Sequence, residues 1–539
     1  MSRSAWLRTG MVAVSVLSTL LMAFQCAPDP ASIAVDQGKD WTAPARDLFY
    51  TNDQGSRIMP LAWFKALKQP DGRPLMADSL KRYGFLPNAA SPHQLPVGFT
   101  AAGAPGEEVV GMNCAACHTR QIEVSGTAYR IDGGPAFIDF QALLGDLDIA
   151  VGKVLYDPAA FRDFANAVPD NEKAALRSAL HEWHHRYHTL IYKSSPSEPW
   201  GPTRLDALGM IFNRLTGLDI GQQPGDVIEQ NIERANAPVR IPFLWNAHKQ
   251  DKTQWSGIAP NIRPEETLAR NIGQVYGVFG EFHPEKQDGD EVDYIIHNSL
   301  NIEGVAALEE LTKRIGAPRW PWALDDALAQ QGKDIFERTG CVGCHGERPS
   351  PENPNFWQTP IIEITTVKTD SLHWRWFSRP RQTGILAGAK VPGQPDARIP
   401  PQDAAVNILR HAVAGALEDF FKAPASPPRA ERPTVGYEAR VLRGVWAAAP
   451  YLHNGSVPTL AELLKPSKER KASFQIGPEY DPVAVGLAEK QTQFDFTLTT
   501  TDCSQPASGN SRCGHEGPEY GTDLTDPEKK ALLEYLKSL

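Results

Sequence analysis

The sequence has little of three features that would narrow its function at once. No block of lysine and arginine stands out and the net charge is −10, so nucleic acid is not an expected partner. After residue 24, no segment is apolar for long enough to span a bilayer. Only seven cysteines and seven methionines occur in 539 residues, and every methionine lies at or before Met210. The position of each sulfur-containing residue is therefore informative.

The rest of the composition is that of a globular chain with 41% hydrophobic and 22% charged residues. This length is sufficient for two to four domains, each with its own core. The 45 prolines favour long loops over long uninterrupted helices. An acidic surface would suit a basic electron-donor protein, although most acidic surfaces only keep a protein soluble.

The N-terminus has the pattern of an export signal. Arg3 and Arg8 precede an uncharged, mostly apolar run at residues 11–24, which is short for a membrane span. We assign residues 1–26 to a signal segment and expect a periplasmic or extracellular protein. A membrane is an expected partner only if Cys26 is lipidated or if the segment remains uncleaved.

Four of the seven cysteines fall in two Cys-x-x-Cys-His motifs, CAACH at residues 114–118 and CVGCH at residues 341–345. The two thiols of such a motif form thioethers with haem vinyl groups, and the histidine ligates the iron from the proximal side. Zinc would need two further Cys or His residues nearby, and a redox dithiol would not need the histidine. The sequence predicts two covalently bound haem c groups, attached at Cys114, Cys117, Cys341 and Cys344 and ligated by His118 and His345.

The context of the second motif predicts how its domain is built. Residues 325–336 have the pattern of an amphipathic helix, and residues 525–539 combine capping-box spacing with a leucine stripe. We expect this last helix to pack on the helix before Cys341. The predicted fold class is mainly α, with two cytochrome c-like haem domains that carry long loop and helical insertions. The N-terminal haem domain with its extensions covers residues 27–318, and the C-terminal one covers 319–539.

Two further patterns lie outside the motifs. Cys503 and Cys513 remain unassigned, and such a pair in an exported protein most often forms a disulfide. Residues 145–192 are predicted to be helical and end in HEWHHRYH, with four histidines roughly on one face: His181, His184, His185 and His188. A metal site is one interpretation of this face, and a solvated polar face is the one that the sequence favours.

Residues 442–464 (LRGVWAAAPYLHNGSVPTLAELL) resemble the C-terminal haem domain of bacterial dihaem cytochrome c peroxidases. That family has the motif Ala-Pro-Tyr-aromatic-His-Asp-Gly near the haem, and this sequence differs from the motif at Leu452 and Asn454. Four other segments resemble the larger dihaem branch that includes the rubber oxygenases: LPVGF (95–99), RIDGGPAF (130–137), IPFLWN (241–246) and GNSRCGHEGPEYG (509–521).

The resemblance implies two mostly helical cytochrome domains packed face to face. One haem would react with a small redox substrate, either peroxide or dioxygen. The other would be low-spin and would pass electrons from a donor protein, with an aromatic residue between the two haems. The resemblance to the peroxidases also implies a possible calcium ion between the haems.

The second haem needs a histidine if its sixth ligand comes from its own domain, because that domain contains no methionine. The choices are His373, His411, His453 and His515. We favour His515, whose glycine-rich loop can approach a flat macrocycle and is held by the expected disulfide. His453 is the alternative, although the peroxidase resemblance places it near the haem without ligating iron.

The first haem is harder to interpret, and the sequence identifies no catalytic residue. The distal position could be closed by several side chains: Met59, Met76, Met210, His248 or His283. Glu281 and His283 are candidates for a proton-transferring group, Trp245 and Trp255 for the aromatic residue between the haems, and Arg120 and Arg130 for propionate binding. For each of these residues, the alternative to the functional role is an ordinary position in the core or on the surface.

Three functions fit these observations. We favour a peroxidase-like oxidoreductase with a reactive N-terminal haem and an electron-transferring C-terminal haem. A haem-dependent dioxygenase of the rubber oxygenase type is the first alternative, and a plain electron carrier is the second. The length of the chain argues against the carrier, because two haems can be held by about half as many residues.

Overall fold

The computed structural model describes residues 32–169, 173–423 and 434–539, and the predicted signal segment with Cys26 lies outside them. Helices account for 38% of the chain and strands for 17%. The fold is therefore richer in helix than in strand, and the prediction of a mainly α fold holds only loosely. Ser32–Leu539 form one unit, and the domain boundary at residue 318 stays a prediction.

Several helices begin where their sequence supplies a cap. Helices α4, α7, α9 and α10 each follow an Asp or Asn whose side chain accepts a hydrogen bond from the first turn. The α-helices of the described residues are α1 (Ala43–Thr51), α2 (Leu61–Ala66), α3 (Cys114–Cys117), α4 (Phe140–Tyr156), α5 (Pro158–Ala167), α6 (Leu176–Ser194), α7 (Ala207–Arg214), α8 (Pro264–Gly277), α9 (Ile302–Thr312), α10 (Asp326–Arg338), α11 (Cys341–His345), α12 (Ile364–Val367), α13 (Ala405–Phe421), α14 (Leu460–Leu463) and α15 (Asp526–Ser538).

The strands are short and pair in small sheets of two or three, so no large sheet organises the described residues. The sheet orders are β1-β6-β5, β2-β4-β3, β7-β8, β9-β10, β11-β12, β13-β18, β14-β17, β15-β16, β19-β22 and β20-β21. Their bounds are β1 (Ile33–Ala34), β2 (Met59–Pro60), β3 (Phe99–Ala102), β4 (Val109–Met112), β5 (Thr119–Val124), β6 (Thr127–Asp132), β7 (Arg204–Leu205), β8 (Val239–Arg240), β9 (Lys252–Thr253), β10 (Ala259–Pro260), β11 (Phe282–Lys286), β12 (Val292–Asn298), β13 (Ile361–Glu363), β14 (Pro380–Gln382), β15 (Lys390–Val391), β16 (Gln394–Arg398), β17 (Gln402–Ala404), β18 (Gly436–Glu438), β19 (Ser473–Gln475), β20 (Tyr480–Asp481), β21 (Gly486–Leu487) and β22 (Thr497–Thr499).

The helix pair predicted around the second motif is confirmed. Helix α15 begins with a capping box, and it packs on α10. Gly332 of α10 permits the close approach, because a Cβ atom there would lie 2.0 Å from the carbonyl oxygen of Ala531. The rings of Phe336 and Tyr535 add an aromatic contact with centroids 5.4 Å apart.

The main hydrophobic core contains side chains from both halves of the chain. Phe49 and Ile131 belong to the same buried cluster as Trp446 and Leu532. The Trp446 indole N–H donates to the carbonyl of Pro318 at 2.9 Å, so the predicted boundary region is part of this core.

Two other predictions can be compared directly with the structure. The disulfide between Cys503 and Cys513 is present. The helical stretch predicted at residues 145–192 consists of α4, α5 and α6. In the described part of the chain, no helix has both the length and the apolar character needed to cross a bilayer.

Candidate haem-binding sites

The first Cys-x-x-Cys-His motif forms a single helical turn, α3. The side chain of Asn113 accepts a hydrogen bond from the Ala115 N–H at 2.9 Å, which starts the turn. Its amide nitrogen donates to the carbonyls of Phe49 and Asn52 at 2.9 and 2.8 Å, which ties the turn to the end of α1. Because one turn places both thiols on one side, the thiols and His118 line the same cavity.

We call this first cavity the His118 cavity. Burial lowers the pKa of His118 to about 4, although the Pro242 carbonyl acts in the opposite direction. The imidazole is therefore neutral, which is the form that binds a metal. Its apolar lining includes Phe140, Leu205, Met210, Ile211, Ile241, Phe243, Val278 and Leu308. Its polar lining includes Gln54, His248, Arg270, Asn271, Gln274 and Glu309.

Of the side chains considered for the distal position, Met210 and His248 line the His118 cavity. The structure does not bring the other candidates to this cavity. Met59 is buried in a hydrophobic cluster, with Met76 packed against it. His283 lies on β11 beside His297, and Glu281 is exposed.

An acidic group in the His118 cavity was missed by the sequence analysis. One carboxylate oxygen of Glu309, Oε2, accepts hydrogen bonds from Arg270 at 2.9 Å and from Asn271 at 2.6 Å. Among the described residues, no hydrogen bond engages the other oxygen, Oε1. Helices α8 and α9 supply these side chains far along the chain from Cys114, and no local pattern marks them.

The second motif forms α11 after Gly340, whose φ of +82° lets the chain turn sharply out of α10. The Nδ1 atom of His345 lies 2.7 Å from the carbonyl oxygen of Arg440. Because a carbonyl only accepts, Nδ1 carries the proton and Nε2 keeps the lone pair that a metal needs. Burial also lowers the pKa of His345, which favours the same neutral form.

The second cavity, which we call the His345 cavity, lies around the second motif. The ring of His515 faces that of His345, with centroids 6.3 Å apart. Two imidazoles that ligate one metal ion from opposite sides have centroids about 6 Å apart, since each metal–nitrogen bond is about 2 Å and each centroid lies about 1 Å beyond its nitrogen. The apolar lining includes Phe336, Ile362, Val367, Leu442, Val445, Leu460, Leu463, Leu464, Leu532 and Leu536.

The loop that carries His515 is fixed from several sides. The His515 N–H donates to the Val367 carbonyl at 3.0 Å, and Arg470 donates to the carbonyls of Gly514 and His515 at 2.8 and 3.0 Å. The Cys513 disulfide adjoins this turn. Burial lowers the pKa of His515 to about 3, and within the described residues its Nδ1 has no hydrogen-bond partner. The imidazole is thus held neutral inside the cavity.

The other histidines considered as sixth ligands do not face His345. His453 lines the His345 cavity, but its ring stacks on Tyr437 with centroids 3.8 Å apart. His373 also packs on Tyr437, at 6.3 Å, and His411 pairs with Asp403 at 3.6 Å. Within the described part of the chain, none of these three rings contacts the ring of the proximal histidine.

Five side chains line both cavities, and we call them the shared wall: Arg240, Phe243, Trp255, Glu438 and Arg440. The indole N–H of Trp255 donates to the Arg240 carbonyl at 2.8 Å. The Arg440 guanidinium lies 4.0 Å from the centre of the Phe243 ring and 3.3 Å from the Glu438 carboxylate. Of the two tryptophans considered as the aromatic residue between the haems, Trp255 lines both cavities, as Phe243 also does. Trp245 lines neither of them and stacks behind Phe243.

Buried arginines supply more positive charge near the shared wall than the protein neutralises. Within the described residues, Arg120, Arg240 and Arg440 each keep at least one buried nitrogen without a hydrogen-bond partner. Burial lowers the pKa of both Arg120 and Arg240 to about 9. Glu438 is the acid paired with this group. The unsatisfied donors fit carboxylates such as haem propionates. Arg130, the other candidate, is only half-buried on β6.

One segment of these sites matches a known protein family. Residues 436–475 match the family described as RoxA-like, cytochrome c-like. The segment contains Glu438 and Arg440 of the shared wall and also His453. The match and the motif at residues 341–345 define a protein with a cytochrome c-like domain, a class that binds haem covalently.

The chain belongs to the family of the uncharacterized protein y4iJ of Sinorhizobium fredii (strain NBRC 101917 / NGR234). The two are 30% identical over an alignment of 586 positions, which covers 93% of this chain and 92% of the relative. Uncharacterized protein y4iM of the same organism is 27% identical over 317 residues, covering 55% of this chain and 64% of that protein.

The solved structures that match include that of Kuenenia stuttgartiensis hydrazine synthase pressurized with xenon. The alignment covers 66% of this chain and 92% of that one, with 13% identity and a TM-score of 0.25. No inference follows from a likeness this low.

Proposed function

We propose that the chain is an exported dihaem c-type cytochrome that acts as a peroxidase-like oxidoreductase. The observation that carries the proposal is the asymmetry of the two cavities. His345 faces a second imidazole, His515, at a distance suited to six-coordinate iron. Among the described residues, no second ring packs on His118. The His118 cavity is thus the reactive site, and the His345 cavity holds the electron-transferring haem.

The residues of the chain have distinct roles in this proposal. When bound, the haem groups supply one-electron chemistry and an iron that can bind a small redox substrate. The carbonyl of Arg440 orients His345 for ligation, and the guanidinium groups of Arg240 and Arg440, which line both cavities, neutralise propionates. Trp255 and Phe243 keep the separation between the two cavities short and exclude water from it.

Glu309 is the residue that we assign to proton movement in the His118 cavity. A peroxidase must carry a proton between the two oxygens of its substrate. Arg270 and Asn271 hold Oε2 of Glu309, while Oε1 is left to take up and release that proton. This assignment replaces Glu281 and His283, which the structure places outside the cavity.

Replacement of Glu309 by glutamine should slow the reaction with peroxide by about 10²-fold, the lower end of what general acid–base catalysis contributes. The amide keeps an oxygen for Arg270 and Asn271 but cannot exchange the proton. The rate is measured by mixing the reduced protein with hydrogen peroxide and following haem oxidation by absorbance. Glu310→Gln is the matched control, because Glu310 is the next residue of α9 and is exposed in an ion pair with Lys313.

The control should react at the wild-type rate. Equal rates for wild type and Glu309→Gln would contradict the role of Glu309. If the wild-type protein itself does not react with peroxide, the peroxidase proposal is wrong and the second candidate takes its place.

The reduction potentials of the haems should depend on pH through Glu438. Burial raises the pKa of this shared-wall carboxyl to about 7, against Arg440 and Arg240, which lower it. Ionisation adds a negative charge that favours the ferric state, so the potentials should fall as pH rises through about 7, by up to about 59 mV per pH unit. Redox titration at several pH values should show a smaller slope for Glu438→Gln and an unchanged slope for the exposed Glu347→Gln. Equal slopes in all three proteins would contradict the role of Glu438.

The second candidate function is a haem-dependent dioxygenase of the rubber oxygenase type. The match of residues 436–475 to the RoxA-like description and the apolar lining of the His118 cavity support it. Oxygen uptake with polyisoprene and no reaction with peroxide would favour this activity over the first. The proposals of export, of a calcium ion and of an electron-donor protein are supported only by the sequence and by its resemblance to the dihaem peroxidases.

A further inference from the structure

A second cluster of ligand-type side chains lies outside both cavities, between helices α4 and α6. Asp148 of α4 meets His184 and His188 of α6, and one potential ligand atom of each lies within 4.8 Å of the other two. The carboxylate of Asp148 is 3.3 Å from Nε2 of His184 and 2.9 Å from Nδ1 of His188. Sequence analysis found the two histidines but not their acidic partner.

The helical register explains the arrangement. His184 and His188 are four residues apart, so both project from one face of α6, and their rings stack with centroids 5.1 Å apart. His184 is buried at 7% exposure, whereas the side chain of His188 is 51% exposed. The cluster thus has a ligand held by the core and a ligand that borders solvent.

Two details leave room for an ion rather than for a closed hydrogen-bond network. Oδ1 of Asp148 is buried and, among the described residues, has no partner in hydrogen-bond geometry. Gly152 lies one turn after Asp148, and a Cβ atom there would stand 3.2 Å from Nε2 of His184. The missing side chain leaves space beside the nitrogen that would bind the ion.

We propose that Asp148, His184 and His188 bind one divalent transition-metal ion of the zinc class and thereby join α4 to α6. Imidazole nitrogens with one carboxylate suit zinc, while calcium and magnesium prefer oxygen ligands. Tetrahedral ligands at about 2.0 Å from zinc lie about 3.3 Å apart, which matches the 3.3 Å between Oδ1 of Asp148 and Nε2 of His184. Nδ1 of His188 lies 2.9 Å from the other carboxylate oxygen, Oδ2, in a hydrogen bond that the ion would replace. Water completes the coordination on the side where His188 is exposed.

Zinc titration of the haem-loaded, chelator-treated protein tests the proposal by calorimetry. The wild type should bind one zinc ion at this site and unfold at a higher temperature when zinc is present. Asp148→Asn and His188→Ala should each weaken binding by at least about 10²-fold, consistent with the loss of one ligand. His185→Ala is the matched control, since this exposed residue of α6 lies outside the cluster, and it should bind like wild type.

Zinc X-ray absorption of the loaded protein should show two imidazoles in the first coordination sphere. Absence of zinc binding by the wild type, or equal affinity in wild type and His188→Ala, would overturn the proposal.

Gly152→Ala separates a ligand effect from a folding effect. Alanine favours helix over glycine, so the zinc-free variant should unfold at the same or a higher temperature than wild type. The added Cβ should nevertheless weaken zinc binding, because it crowds Nε2 of His184. Unchanged zinc affinity in this variant would overturn the assignment of that nitrogen as a ligand.

Discussion

Replacement of His515 by alanine should convert the haem of the His345 cavity from low-spin to high-spin. The two imidazoles face each other at 6.3 Å, and no other candidate histidine in the described residues packs on the proximal ring. Electron paramagnetic resonance of the oxidised wild type should show one low-spin and one high-spin ferric signal. The variant should lose nearly all of the low-spin signal, because the strong-field ligand that faces the proximal histidine is removed.

His453→Ala is the matched control for this experiment. His453 is buried at the same cavity, but its ring stacks on Tyr437 instead of facing the proximal histidine. This variant should keep the low-spin signal. The reverse result, with the signal lost in His453→Ala and kept in His515→Ala, would make His453 the ligand. Two low-spin signals in the wild type, both unaffected by peroxide, would instead favour a plain electron carrier.

Removal of both thiols of one motif should remove one covalently bound haem. The double variant Cys114→Ala/Cys117→Ala and the double variant Cys341→Ala/Cys344→Ala each lack the two sulfur atoms that form thioethers. Mass spectrometry of the denatured proteins should find two haems on the wild type and one on each variant. Each motif lines a cavity of its own, so each is expected to hold its own group.

The pair Cys503→Ala/Cys513→Ala controls for the general effect of losing two cysteines. These residues form the disulfide beside the His515 loop, and their replacement should leave both haems attached. A variant without one motif that still carries two haems would contradict covalent attachment there. A wild type with a single haem would contradict the dihaem proposal, and the motif variants would then show which cavity is loaded.

Features that depend only on residues close together in the sequence could be predicted. The two motifs, the helix at Asp326–Arg338 and the capped helix at Asp526–Ser538 each follow from a pattern within a single element. The disulfide followed from the two cysteines left over by the motifs, and the structure contains it. The mainly α fold class holds only loosely, because the structure adds many short strands that were not predicted, several of them in local hairpins such as β5-β6 and β11-β12.

The sequence by itself therefore determined the candidate residues for haem attachment, because thiols and the proximal histidine must be adjacent to act together. Only the tertiary structure decided which distant groups face them: His515 opposite His345, Glu309 in the His118 cavity, and Trp255 between the cavities. Asp148 likewise meets the histidines of α6 only because two helices pack. A periodic pattern reports which face of an element is buried, and packing alone determines what that face meets.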